Sequence, residues 1–179
     1  VTAKYSDFHA GVFSGGVITG TLTNNFTGGT FEIARGCFYL GQQGVSGSTG
    51  KIVNIMGSKD TGNGPTFKGT NHIYMGGGFG RIGVTSNIAT LPAVADCTDT
   101  LVICNTIYGG TFGGSVYGTN SSNADTYVTY VKGSVQTDVY GGTFEGQLYS
   151  AENVSQKVDV APTRNTIYAP EKSTLNICG

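Results

Sequence analysis

Apolar residues in this chain come in twos and threes, separated by Gly, Asn, Ser or Thr, with no helical stripe. No stretch keeps apolar residues at i, i+3, i+4 and i+7 over three turns without a Gly breaking it. The one helical candidate, Ile88 to Ala95, is short and carries Pro92. Short strands are predicted instead at Val12-Phe13, Phe31–Ile33, Cys37–Leu40, Ile52–Ile55, Val102–Cys104, Tyr127–Val131, Val158–Val160 and Leu175–Ile177. Each is bounded by turn-forming residues.

The pattern repeats. Ile107-Tyr108-Gly109-Gly110-Thr111-Phe112 leads to Val116-Tyr117, and Val139-Tyr140-Gly141-Gly142-Thr143-Phe144 leads to Leu148-Tyr149. Each landmark of the second copy lies 32 residues after its counterpart, as Tyr140 does after Tyr108. Ile73-Tyr74-Met75-Gly76-Gly77-Gly78-Phe79 is an earlier copy with one extra residue, and Asn165-Thr166-Ile167-Tyr168 echoes Asn105-Thr106-Ile107-Tyr108. Phe26–Phe31 and Phe8–Phe13 are weaker copies.

Alternation sends one side chain inward and the next outward, and a Gly pair supplies a bend between short strands. Such units wrap into coils that stack, and equal positions then form ladders. The expected fold is all-β, a parallel β-helix or solenoid occupying 1–179 as one domain, irregular over 1–70 and best repeated over 73–149. The alternative is a β-sandwich, which also shows many short strands but gives no reason for near-identical copies. The expected buried ladders are Ile73, Ile107, Val139 and Ile167; Phe79, Phe112 and Phe144; and Val116 with Leu148. A 32-residue unit is either one coil with an outlying loop, for which polar Thr119 to Ala124 is the candidate, or two small coils.

Composition sharpens this picture. Thirty of 179 residues are Gly but only four are Pro, which excludes collagen-like and Pro-rich disordered chains. Charged residues make up 12% with a net charge of −1, so no basic patch is present to neutralise phosphates, and nucleic acid is not an expected partner. No apolar run is long enough to cross a membrane as a helix. Val1 opens neither a charged start nor an apolar run of a signal peptide, which reads as a piece or mature form of a longer chain.

Asp125–Val135 followed by Asp138-Val139-Tyr140-Gly141-Gly142 resembles the repeats of large adhesin-like surface proteins of gut Gram-positive bacteria, in which a strand leads to a "V-Y-G-G" bend over and over. The resemblance is best from Ile73 to Tyr149. It implies a right-handed parallel β-helix displayed outside the cell, attached to the surface or secreted. The motif is low in complexity and speaks for fold more than for function.

Tyrosine is the first candidate for function. Tyr74, Tyr108, Tyr140 and Tyr168 share one repeat position, and Tyr117 and Tyr149 another. If the preceding aliphatic points inward, the rings face out, where they suit stacking on sugars or simply cover the sheet. Carboxylates are the second: Asp7, Glu32, Asp96, Asp99 and Glu145, with Arg35 and Arg81 as basic partners. Only Glu32 and Glu145 are repeat-equivalent, each following a Phe. His9 and His72 stand in no catalytic motif, and Gly76–Gly80 lacks the Lys-Ser/Thr of a phosphate loop. Cys37, Cys97, Cys104 and Cys178 match no zinc spacing; Cys97 and Cys104 are near enough in sequence for a disulfide. No metal or cofactor is expected.

The expected function is therefore that of a non-catalytic adhesin or carbohydrate-binding module meeting a polysaccharide or host glycan along a Tyr-lined face. The alternatives are a structural stalk, and a polysaccharide lyase or hydrolase on the same fold.

Overall fold

A computed structural model describes residues 2–3, 8–10, 12–13, 18–34, 36–43, 49–76, 101–120, 129–130, 133–152, 167–168 and 172–178. Its strands, numbered in chain order, fall mainly into three sheets of five. Sheet I holds β4 (Thr21–Phe26), β8 (Lys51–Met56), β11 (Val102–Ile107), β15 (Ser134–Val139) and β19 (Lys172–Ile177). Sheet II holds β1 (Thr2–Ala3), β5 (Thr30–Ile33), β9 (Thr66–Phe67), β12 (Thr111–Phe112) and β16 (Thr143–Phe144). Sheet III holds β2 (Phe8–His9), β6 (Phe38–Tyr39), β10 (Ile73–Tyr74), β13 (Val116–Asn120) and β17 (Leu148–Glu152). Two small pairs complete the set: β3 (Val12–Phe13) with β7 (Gln42–Gln43), and β14 (Thr129–Tyr130) with β18 (Ile167–Tyr168).

Every pairing among the described residues is parallel, and each joins equal positions of successive coils. The fold is a parallel β-solenoid, and the antiparallel sandwich is excluded. One coil runs sheet I, sheet II, sheet III. Val102 pairs with Ser134, 32 residues on, so the repeat unit is one coil. Coil length varies elsewhere: Lys51 pairs with Val102, 51 residues away, and Ser134 with Lys172, 38 away. The extra chain enters after sheet III. The expected loop begins later than its composition suggests, because Thr119 and Asn120 belong to β13 and Thr119 is buried.

The bend into sheet II explains the glycines. Gly29, Gly110 and Gly142 each precede a Thr-Phe strand with φ of 93°, 131° and 121°, conformations in which a β-carbon is strained. Gly109 is required for a different reason: a β-carbon there would sit 1.7 Å from the Gly62 carbonyl oxygen of the neighbouring coil.

Inside, the coil is filled in two lobes. Phe31, Phe67, Phe112 and Phe144 stack in one column, with ring centroids 5.0, 5.8 and 4.9 Å apart. They pack with Phe38, Ile73 and Val116 of sheet III and with Met56, Ile107 and Val139 of sheet I. The second lobe is Ile18, Ile52, Leu101, Ile103 and Val135. Between the lobes, facing inward from sheet I, runs a polar column of Asn24, Asn54, Asn105 and Thr137, all buried. Asn24 Nδ2 donates to Asn54 Oδ1 (2.9 Å), Asn54 Nδ2 to Asn105 Oδ1 (2.8 Å), and Asn105 Nδ2 to Thr137 Oγ1 (3.0 Å). The same Nδ2 groups of Asn24 and Asn54 also donate to the carbonyls of Leu40 and Met75, just past β6 and β10. The amide column thus ties sheet I to the chain leaving sheet III.

The expected ladders are partly redrawn. Phe112 lies on Phe144, and Val116 beside Leu148, as the repeat predicts. Ile73, however, pairs with Phe38 and Val116, whereas Ile107 lies between Met56 and Val139. Ile167 pairs with Thr129, and Ile177 takes the place after Val139. The reason is that an aliphatic-Tyr dipeptide occurs twice per coil, at the end of sheet I and in sheet III. Both put the aliphatic inward, so local likeness does not tell them apart. Phe79 and the helical candidate 88–95 lie outside the described residues.

Candidate functional site

The redrawn ladders divide the tyrosines. Tyr39, Tyr74, Tyr117 and Tyr149 form a column on sheet III, with centroids 5.3, 5.1 and 5.0 Å apart. His72 packs edge-on against Tyr117 (5.4 Å, 87°) and Tyr74 (6.1 Å, 64°). Burial lowers the His72 pKa, which keeps its imidazole neutral further into the acid range. Tyr39 and Tyr117 are buried, and Tyr74 and Tyr149 half-buried. This column is largely withdrawn from water and serves the stack more than a ligand. Tyr168 is on β18 with Tyr130 as its strand partner, apart from both columns in pairing.

Tyr108 and Tyr140 form a separate pair directly after β11 and β15, with centroids 5.2 Å apart and planes 26° from parallel. Tyr140 is 49% exposed. Its column continues into Cys178, placed beyond β19 by a hydrogen bond from its N–H to the Val139 carbonyl (2.7 Å). A thiol is smaller than a ring, so the far face of Tyr140 is left more open than the face against Tyr108.

Alternation along β15 places Gln136, Asp138 and Tyr140 on one outward face while Val135, Thr137 and Val139 fill the inside. Gln136 Nε2 donates to Asp138 Oδ2 (2.7 Å), and Asn176 Nδ2 of β19 donates to Asp138 Oδ1 (2.6 Å). Two amides therefore fix the carboxylate, and each of its oxygens keeps a lone pair free for a further donor. The Tyr140 pKa is raised, chiefly by Cys178, then by partial desolvation and by Asp138 and Tyr108. Its phenol stays a hydrogen-bond donor through neutral and mildly alkaline pH.

This patch joins an open aromatic ring to an oriented carboxylate and two amides. Sequence reading singled out Tyr108 and Tyr140 but missed Gln136, Asp138 and Asn176. The signal was the outward period-two run Gln136-x-Asp138-x-Tyr140; pairing with Asn176 needed the register of β19.

The other candidates fall differently. Glu32 and Glu145 share a sheet II column, but Lys68 and Gly113 stand between them. Three strand spacings put them about 14 Å apart, beyond the roughly 5 to 9.5 Å of a hydrolytic carboxylate pair. Glu32 instead meets Lys68 at 3.7 Å on the exposed surface. Asp7, Arg35, Arg81, Asp96 and Asp99 lie outside the described residues, as does the side chain of His9. Cys104 is a free, half-buried thiol on the outer face of β11, while Cys97 lies outside the described residues. Among the described residues no group of three or more His, Cys, Asp or Glu side chains is placed to hold a metal. No helix is long and apolar enough to cross a membrane. No protein-family model, curated protein or solved structure matches the chain.

Proposed function

We propose that this solenoid is a non-catalytic, extracellular binding module of the bacterial adhesin type, which holds a polysaccharide or host glycan on the outer wall of sheet I. The observation that carries the reading is the stacked Tyr108–Tyr140 pair beside an Asp138 carboxylate gripped by Gln136 and Asn176. A sugar offers an apolar C–H face and a rim of hydroxyls. The face suits the open side of Tyr140, and the hydroxyls suit the free lone pairs of Asp138. The site is shallow and preformed, which fits weak binding at one position reinforced by multivalent display on a cell surface.

A glycan array followed by titration calorimetry tests this. The expected result is binding that Tyr140→Ala abolishes and Asp138→Ala weakens about tenfold, the loss of one or two charge-assisted hydrogen bonds, with unchanged melting temperatures. Absence of binding at millimolar sugar, or binding intact in the Tyr108→Ala, Tyr140→Ala double variant, would sink the proposal. The first outcome would leave the stalk reading, which the largely buried sheet III tyrosine column favours. New reducing ends or unsaturated uronides released from a polysaccharide would point to the lyase or hydrolase reading instead.

A further inference from the structure

The two ends of the stack differ in outline. At one end sheets II and III extend one strand beyond sheet I, because β1 and β2 have no sheet I strand beside them among the described residues. At the other end sheet I extends one strand beyond the others, because β19 lies past the level of β16 and β17. Each sheet still has five strands. The described strands therefore make a whole number of turns, and the step at one end is the complement of the step at the other.

The β19 end is apolar and open. Ile177 occupies an inward column position yet is 67% exposed, and Leu175 is 39% exposed. Val139, Phe144, Leu148 and Ile177 help line a cavity of about 240 Å³ there. Solenoid ends are normally closed by a polar cap, and strand edges are normally blunted by charge, Pro or a bulge. β4 (Thr-Leu-Thr-Asn-Asn-Phe) carries no charge and no Pro, and β19 has Lys172 as its one charge.

We propose that the β19 end docks the β4 end of a second copy of this chain, head to tail. Continuing the register seats β19 on β4, β16 on β1 and β17 on β2 of the second copy. The columns then match: Ile177 meets Phe26 and Leu148 meets Phe8 on the inside. On the outside Thr174 meets Thr23 and Asn176 meets Asn25. No like charges are opposed in these pairs. Leu175 meets Asn24, so the amide column does not cross the joint, which makes the joint weaker than a contact inside the stack. The contact is heterologous and does not close on itself, so it yields linear chains. It lies on the end of the stack, away from the outer wall that carries Tyr140.

Sedimentation velocity across the micromolar range tests this with two variants. Ile177→Asp places a charge at the apolar joint and touches only an exposed side chain. Thr23→Pro removes an N–H that points to the open edge. The Phe26 carbonyl accepts from Gly57 on the β8 side, and alternation turns Thr23 the other way. The wild type is expected to form linear species that grow with concentration. Each variant alone should stay monomeric with an unchanged melting curve, and their equimolar mixture should give a dimer and nothing longer. Ile177→Lys replaces the Asp variant if the latter frays. A wild type that stays monomeric overturns the proposal, as do a variant that associates alone and a mixture that does not dimerise.

Discussion

At the scale of single residues, the buried amides do more than their number suggests. Each interior Asn both accepts from one coil and donates to the next, so the column is a chain of bonds without a free end inside the protein. Removing one member orphans its neighbours. Asn54→Ala strips an acceptor from Asn24 and donors from the Asn105 and Met75 oxygens. Each unsatisfied buried group costs about 1–3 kcal/mol, so the expected loss of unfolding free energy is about 3–5 kcal/mol, measured by urea denaturation. Thr137→Val removes one acceptor at the end of the column, and its expected cost is nearer about 1 kcal/mol. Equal costs for the two would mean the column does not act as a chain. These asparagines also explain strands that sequence reading missed. Thr21-Leu22-Thr23-Asn24-Asn25-Phe26 looks polar because one of its inward positions is an amide, a residue type usually assigned to turns.

At the scale of elements, a short strand such as Thr111-Phe112 has little stability of its own. It holds because its Phe sits between Phe67 and Phe144. The position in the column, not the residue type, sets the cost of truncation. Phe112→Ala empties a fully buried site with neighbours on both sides and should cost about 3–5 kcal/mol. Phe144→Ala acts on a half-buried ring at the end of the column and should cost about half as much. Thermal or urea unfolding of the two variants checks the ordering, and a reversed order would contradict the stacking. The Gly-Gly-Thr-Phe bends were legible from sequence because a left-handed Gly has a local cause. The assignment of Ile73-Tyr74 to sheet III was not legible, because nothing local separates it from Ile107-Tyr108.

At the scale of the whole molecule, each coil contacts only its neighbours, so stability should decline from the middle toward the ends. Hydrogen exchange is expected to be slowest for the laddered amides of β8 and β11, which have strands on both sides, and faster in β19, which has one. Uniform protection along sheet I would argue for a single cooperative core instead. By itself, the sequence determined the class of fold and the length of one turn, because spaced glycines and an identical 32-residue return are local chemistry repeated along a line. It also marked Tyr108 and Tyr140 as members of one column. Only the tertiary structure decided which tyrosines are withdrawn from water, which carboxylate stands beside an exposed ring, and that asparagines fill the middle of the core. Those facts depend on which coil lies above which, and insertions such as the 51-residue step from Lys51 to Val102 shift that relation without leaving a mark in any single motif.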